Sequence, residues 1–399
     1  MKLFSLQATI LIICLMSINI LSAEENPIFN IGYYDLEKDI RYDIWGVHPV
    51  DIRSNTNQLY KRPIAGAELG LKDIKPFQRM SKVKFNLIKK RINASEEAPE
   101  TIYNHIIENN IKFILLDFPV AELLKITNKI NDLNITAINV SSKNNELRSS
   151  QCSKNLFHTI PSERMLSDSL AQYLSEKKWR KILVLIGPLE IDEAKAKSFI
   201  ESAKQFGLKI TDKRNFVLGN DPRARDQNDL DFLTGSAKYD AVYIADTHKE
   251  FSYRVPFATH RPAIVIGSSG LIPRAWHWSY LRHGAPQVHG RFERMHKRRM
   301  TEEDWAAWVA MRAMAEALVR FKDNENFSFS KAFVNEEFKL DGSKGPILNF
   351  RPWNRQLRQP IMLSTENWVT SIAPLNSFVH RENNLDTIGM DNKTSKCVN

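Results

Sequence analysis

Three cysteines in 399 residues, with no C-x-x-C among them, leave no thiolate zinc site and no dithiol redox motif. The chain also lacks a P-loop, a G-x-G-x-x-G, a G-x-S-x-G elbow and an H-E-x-x-H helix. The common phosphate cradle, the activated serine and the metalloprotease helix are therefore missing from its sequence. No apolar run after residue 23 is long enough to cross a bilayer. Acid is scarce in one stretch: from Arg261 to Arg299 there are eight Arg or Lys and four His against a single acid, Glu293. The expectation is a protein that binds and does not catalyse.

What is present begins at the N-terminus. Lys2 is the only charge before Glu24, an apolar run extends from Leu11 to Ile20, and Leu21-Ser22-Ala23 supplies a small residue for cleavage. Residues 1–23 read as a secretory signal peptide, which places the mature chain in the periplasm and argues against a nucleic-acid partner. The mature chain keeps Cys152 and Cys397, a natural disulfide pair in an oxidising compartment, tying down a tail after Pro374 that is polar and otherwise expected to be mobile. A net charge of +10 suits acidic ligands or an anionic surface.

Short apolar strands alternate with amphipathic helices in two successive rounds. The first has strands at 28–34, 85–92, 111–116 and 135–140 and helices at 62–73, 99–109 and 120–131. The second has strands at 181–186, 209–216, 241–245 and 263–266 and helices at 162–177, 192–206 and 226–234, with Ser162 as an N-cap. This pattern predicts α/β architecture with parallel sheets covered on both faces. Residues 302–320 form the strongest helical pattern, with Trp305 and Trp308 on its core stripe. Residues 345–350 and 359–364 read as a strand pair around the turn at Arg351-Pro-Trp-Asn354.

Ligand candidates lie at the carboxyl ends of strands: Tyr33, Tyr34, Phe118 and Ser141 in the first half, Asp246 in the second, with Arg62 opening a helix that favours an anion. The central candidates are Arg274, Trp276, His277, Trp278 and Arg282, because indoles stack on flat rings and guanidinium groups grip carboxylates with paired hydrogen bonds. A loop that faces a protein partner has the same composition. Trp353 and Arg355, in the late turn, either complete the pocket or form a hairpin tip. His277, His283, His289 and His296 do not share a helical face, and Gly284, Pro286 and Gly290 interrupt a helix there, so no metal site is expected. The basic run Arg294 to Arg299 reads as a solvated face.

Several strings carry a resemblance: Gly270-Leu-Ile-Pro-Arg-Ala-Trp-His-Trp-Ser-Tyr280, Asp304-Trp-Ala-Ala-Trp308, Lys339-Leu-Asp-Gly342, Phe350-Arg-Pro-Trp-Asn-Arg-Gln-Leu-Arg-Gln-Pro360, and Leu385-Asp-Thr-Ile-Gly389 with Cys397. On these the mature chain resembles type I periplasmic solute-binding proteins of ABC transporters, the branched-chain amino-acid class. Within that class it is most similar to the binding proteins of alcohol dehydrogenase systems that depend on pyrroloquinoline quinone (PQQ). The resemblance implies two Rossmann-like lobes, a central cleft and three hinge crossings. The crossings would fall near 140–152, 253–258 or 284–292, and 321–332. The N-lobe would hold 24–145 and 285–330, and the C-lobe 146–284 and 331–399. It further implies a monomer that performs no catalysis, passes a small anionic ligand to a permease, and takes PQQ as bound ligand. The alternatives are a small alcohol-derived metabolite as ligand, or an accessory protein that docks onto a PQQ-dependent dehydrogenase or its cytochrome.

Overall fold

The computed structural model describes residues 26–39, 41–42, 62–217, 228–236, 238–393 and 395–397; the segment read as a signal peptide lies outside the described residues. The first half builds β1 (Ile28–Leu36), α1 (Ile64–Asp73), α2 (Phe77–Ser81), β2 (Lys84–Ile92), α3 (Ala98–Glu108), β3 (Phe113–Asp117), α4 (Val120–Lys129), β4 (Thr136–Asn139) and β5 (Leu156–His158). Its five strands form one parallel sheet in the order β2-β1-β3-β4-β5. The three-residue β5 carried too little pattern to be read in advance. It draws the first sheet to His158, past the boundary expected at 145 and the crossing expected at 140–152.

The second half builds α5 (Glu163–Glu176), β6 (Lys181–Ile186), α6 (Glu190–Gln205), β7 (Lys209–Asn215), α7 (Leu230–Thr234), β8 (Ala241–Ala245) and β9 (Ile264–Gly267). Its parallel sheet has the order β7-β6-β8-β9. Ser162 caps α5, its hydroxyl accepting from Met165 N. Strands buried on both faces need continuous apolar residues, which is why Lys181-Ile-Leu-Val-Leu-Ile186 was legible.

After β9 come β10 (Ile272–Arg274), α8 (Ala285–His296), α9 (Glu302–Phe321), α10 (Phe329–Phe333), β11 (Leu340–Asp341), β12 (Ile347–Leu348), β13 (Ile361–Ser364) and β14 (Val369–Ala373). Helix α9 returns to the first body and lies on α1. A Cβ on Gly66 would stand 1.9 Å from Asp304 O, and one on Gly70 would stand 2.7 Å from Met311 Cβ. Bare glycine faces one turn apart thus let the two helices touch. Trp305 and Trp308 are buried in this core, with Trp308 Nε1 donating to Asp73 Oδ2 at 3.0 Å.

Three expectations are corrected here. A helix does run through Pro286 and Gly290: proline sits in its first turn, where no intrahelical N–H is needed, and Gly284 precedes it at φ 79°. The two late strands do not pair with each other as strands. β12 pairs with β11, while β13 lies between β10 and β14, and only a single bridge joins Phe350 to Leu357. The tail is packed. Leu375, Leu385 and Ile388 are buried, and Asp386 accepts from Arg351 Nε at 2.7 Å and Arg358 Nε at 2.9 Å. A disulfide joins Cys152 to Cys397 across 245 residues, with the Cα atoms 5.6 Å apart. Polar composition concealed the packing because the tail buries charge in pairs.

Candidate functional site

A cavity of about 410 Å³ opens where the ends of β8 and β9 face the first turns of α5 and α9. Asp246 and Thr247 follow β8, and Gly267 and Ser268 close β9. Glu163, Leu166 and Ser167 come from α5, and Lys195 from α6. Lys143 comes from the loop after β4, and Thr301, Glu302 and Glu303 from the start of α9. One side is the strip Ile272, Pro273, Arg274, Trp276, His277, Trp278, interrupted by the buried Ala275. The volume suits a small organic solute.

Much of the polar rim is already committed to folding. Asp246 accepts from Lys249 N at 3.0 Å and Ser252 N at 2.8 Å, fixing its own turn. Thr247 donates through both N and Oγ1 to Asp192 Oδ1, at 2.7 and 2.6 Å. Glu302 accepts from Lys143 Nζ at 2.5 Å and from Ala275 N at 2.8 Å, so it ties the loop after β4 to the strip after β10. Burial alone would raise the Glu302 carboxyl, but Lys143 and the Ala275 amide hold it below the usual range. Its neighbour Glu303 is pushed up, by burial first, with the Lys143 ammonium 3.7 Å away opposing the shift.

Two donors are left over. Arg274 Nε and Trp276 Nε1 are buried without a hydrogen-bond partner among the described residues. Buried donors of this kind cost about 1–3 kcal/mol each when unmet, and both lie just beneath the cavity surface. Trp276 is held by Trp305, the rings 12° from parallel with centroids 6.3 Å apart. Trp305 is in turn fixed by its Nε1 donating to Gly342 O at 3.0 Å and by Lys344 Nζ 3.6 Å from its ring centroid. The Arg299 guanidinium lies 3.7 Å from the Trp278 ring centroid, and Lys195 Nζ donates to Thr247 Oγ1 at 3.0 Å. Arg274, Arg299 and Lys195 form no ion pair within 4.0 Å among the described residues, but the lining as a whole sets them, with Lys143 and Lys249, against Glu163, Asp246, Glu302, Glu303 and Glu366. His277 is buried; its ring meets Ser279 Oγ at 2.8 Å and Glu366 O at 3.2 Å, and burial, reinforced by Arg274, lowers its pKa to about 4.

Of the residues singled out from sequence, the cavity gathers Asp246, Arg274, Trp276, His277 and Trp278. The remainder lie elsewhere. β1 runs two residues longer than read, so Tyr33 and Tyr34 are inside the strand and point to opposite faces. Tyr33 donates to Asp117 Oδ2 at 3.3 Å, and Tyr34 OH meets His105 Nδ1 at 3.0 Å. Arg62 is buried against Asp35 at 2.9 Å, and Phe118 sits in the core. Ser141 accepts from Arg41 Nη1 at 2.8 Å. Arg282 is exposed. Trp353 Nε1 donates to Met390 O at 3.1 Å, binding the tail, and Arg355 occupies a left-handed turn position at φ 60°. Neither belongs to the cavity.

Sequence reasoning missed Lys143, Glu163, Lys195, Arg299, Glu302 and Glu303. Arg299 is exposed, as expected of its run, and lies over Trp278, whereas neighbouring Arg298 turns inward to pair with Asp304 at 2.5 Å. The Thr301 N-cap three residues before Asp304 was a readable signal for where α9 begins, and hence for Glu302 facing the cavity.

No protein-family model matches the chain, and no curated protein matches it. Solved structures do. The chain is similar to a branched-chain amino-acid ABC transporter periplasmic ligand-binding protein from Burkholderia xenovorans: TM-score 0.67, 10% identity, 86% of this chain and 95% of that one. It is also similar to a periplasmic binding protein from Burkholderia mallei: TM-score 0.65, 9% identity, 93% and 98% covered. A third is an ABC transporter solute-binding protein from R. palustris in complex with benzoate: TM-score 0.65, 9% identity, 93% and 99% covered. The chain has the fold of the periplasmic binding proteins.

Proposed function

We propose that this chain is an exported solute-binding protein that delivers a planar, anionic small molecule to an ABC-type permease. The observation that carries the reading is Arg274, without an ion pair among the described residues, beside the indoles of Trp276 and Trp278 on one wall of the cavity. A carboxylate meets the Arg274 guanidinium, and its seating on this wall brings an acceptor toward the unmet Arg274 Nε and Trp276 Nε1. A flat ring beside it finds the indoles of Trp276 and Trp278. The fold supports the transport role, and the benzoate complex of the R. palustris protein shows that this fold holds an aromatic carboxylate.

The finer reading within this class is PQQ, a flat tricarboxylate whose acids would meet Arg274, Arg299 and Lys195. Titration of the purified chain with PQQ, benzoate and leucine, followed by tryptophan fluorescence, tests it. Saturable quenching by PQQ or benzoate at micromolar concentration, with leucine silent, is the expected result. Leucine binding with both aromatic acids silent would overturn it.

A further inference from the structure

Every open sheet leaves edge strands, and soluble proteins guard them with charge, proline or cover, because a bare edge pairs with other chains. Two of the four outer strands of the parallel sheets are charged: β2 carries Lys84, Lys89, Lys90 and Arg91, and β7 carries Lys209, Asp212, Lys213 and Arg214. The other two, β5 and β9, are partly covered by single bridges, His158 to Gln356 and Ile266 to Leu271. β14 has neither guard. It reads Val-Thr-Ser-Ile-Ala, has no charged residue and, among the described residues, pairs only with β13, on one side, with one register shift that leaves Thr370 unpaired.

Beside β14 runs a groove of about 510 Å³. Trp368 and all of Val369, Thr370, Ser371 and Ile372 line it. Ser371 and Ile372 are consecutive and paired in register, so they point to opposite faces, and both line the groove because the backbone edge forms its wall. The opposite wall is Ser279 to Arg282. Two large apolar side chains stand at the groove, Leu281 at 64% and Trp368 at 59% exposure. Arg282 is the one charged residue among those lining it.

We propose that this groove is a docking site for an extended, acidic polypeptide segment of a partner protein, which adds to β14 as a further strand. Its backbone pairs with the free edge of β14, one apolar side chain covers Trp368 and Leu281, and an acid meets Arg282. The groove's far wall continues directly from the cavity strip, since Trp276, His277 and Trp278 precede Ser279. A partner seated here touches the same segment that contacts the ligand. This proposal does not rest on the identity of that ligand.

The test is selection of displayed random heptapeptides on the full mature chain. The expected winners alternate β-branched or aromatic residues with at least one acid, and they slow amide exchange at 369–372. N-methylation of alternate amides in a synthetic winner lowers its affinity tenfold or more. Selection on Arg282→Glu yields basic peptides in place of acidic ones, and Trp368→Ala weakens the original winners severalfold; both residues are exposed, so both variants keep the fold. No enrichment over blank, protection confined to the cavity segment, or an unchanged charge preference with Arg282→Glu would each overturn the proposal.

Discussion

The carboxyl ends of the two parallel sheets hold similar residues in opposite states. At the first sheet the charges are spent on one another. Arg62 pairs with Asp35 and also donates to Leu36 O at 2.6 Å. Asp117 accepts from Arg41 Nη2 at 3.0 Å and from Tyr42 at 2.8 Å. Burial raises the Asp117 carboxyl, and Arg41 pulls it back. At the second sheet the strand ends face a cavity walled by β10 and the strip after it, where Arg274 and Trp276 keep donors without partners. Position at a strand end nominates a residue as a ligand contact, but only the hydrogen-bond balance shows whether it is free to serve. Tyr33, Arg62 and Ser141 satisfied the topological rule and are engaged within the protein.

The largest effect expected from this comparison is on stability. Asp35→Ala leaves the Arg62 guanidinium buried without its carboxylate and should cost about 3–5 kcal/mol in urea unfolding. Affinity for an anionic ligand should hold, since Asp35 is not part of the cavity. A combined loss would mean that the first-sheet cluster also contacts ligand.

Arg274→Ala inverts that pattern. Losing a charge-assisted hydrogen bond of about 1.5–3 kcal/mol lowers affinity for an aromatic carboxylate by about ten- to hundredfold. The melting temperature should stay the same or rise, because an unmet buried donor is removed. A fall in stability with unchanged affinity would place Arg274 in the packing instead.

A smaller effect comes from acid. His277 titrates near 4 in the fold against 6.5 for a free side chain, so the unfolded chain takes up the proton first as pH falls. Its contribution is complete above pH 6.5 and drains away between 6.5 and 4, at up to about 1.4 kcal/mol per pH unit. His158, lowered by burial, acts in the same direction. Urea midpoints across that range should fall, and His277→Gln should flatten part of the slope; an unchanged slope would mean that His277 titrates normally.

The smallest effect sharpens the comparison to one atom. Trp276→Phe keeps an aromatic ring against Trp305 and deletes Nε1, and it should weaken the carboxylate about three- to tenfold. Equal weakening of benzamide and benzoate would assign the effect to ring shape and not to the donor.

Most of the fold was legible because both sheets are built from apolar runs separated by amphipathic helices. What escaped was short or internally compensated. β5 and β10 have three residues each, too few to show a period. The tail looked mobile because its polar residues, such as Asp386 with Arg351 and Arg358, are buried as partners. At the site, the strip from Arg274 to Trp278 was readable from composition. Lys143, Glu302 and Arg299 were not, because they arrive from other elements and only the fold brings them to that strip.

The most direct test of the account is a paired titration of wild type and Arg274→Ala with benzoate and neutral benzamide, read by tryptophan fluorescence. The account requires wild type to prefer benzoate and Arg274→Ala to lose that preference while its melting temperature holds. Equal binding of the two ligands by wild type, or an undiminished benzoate preference in Arg274→Ala, would contradict it.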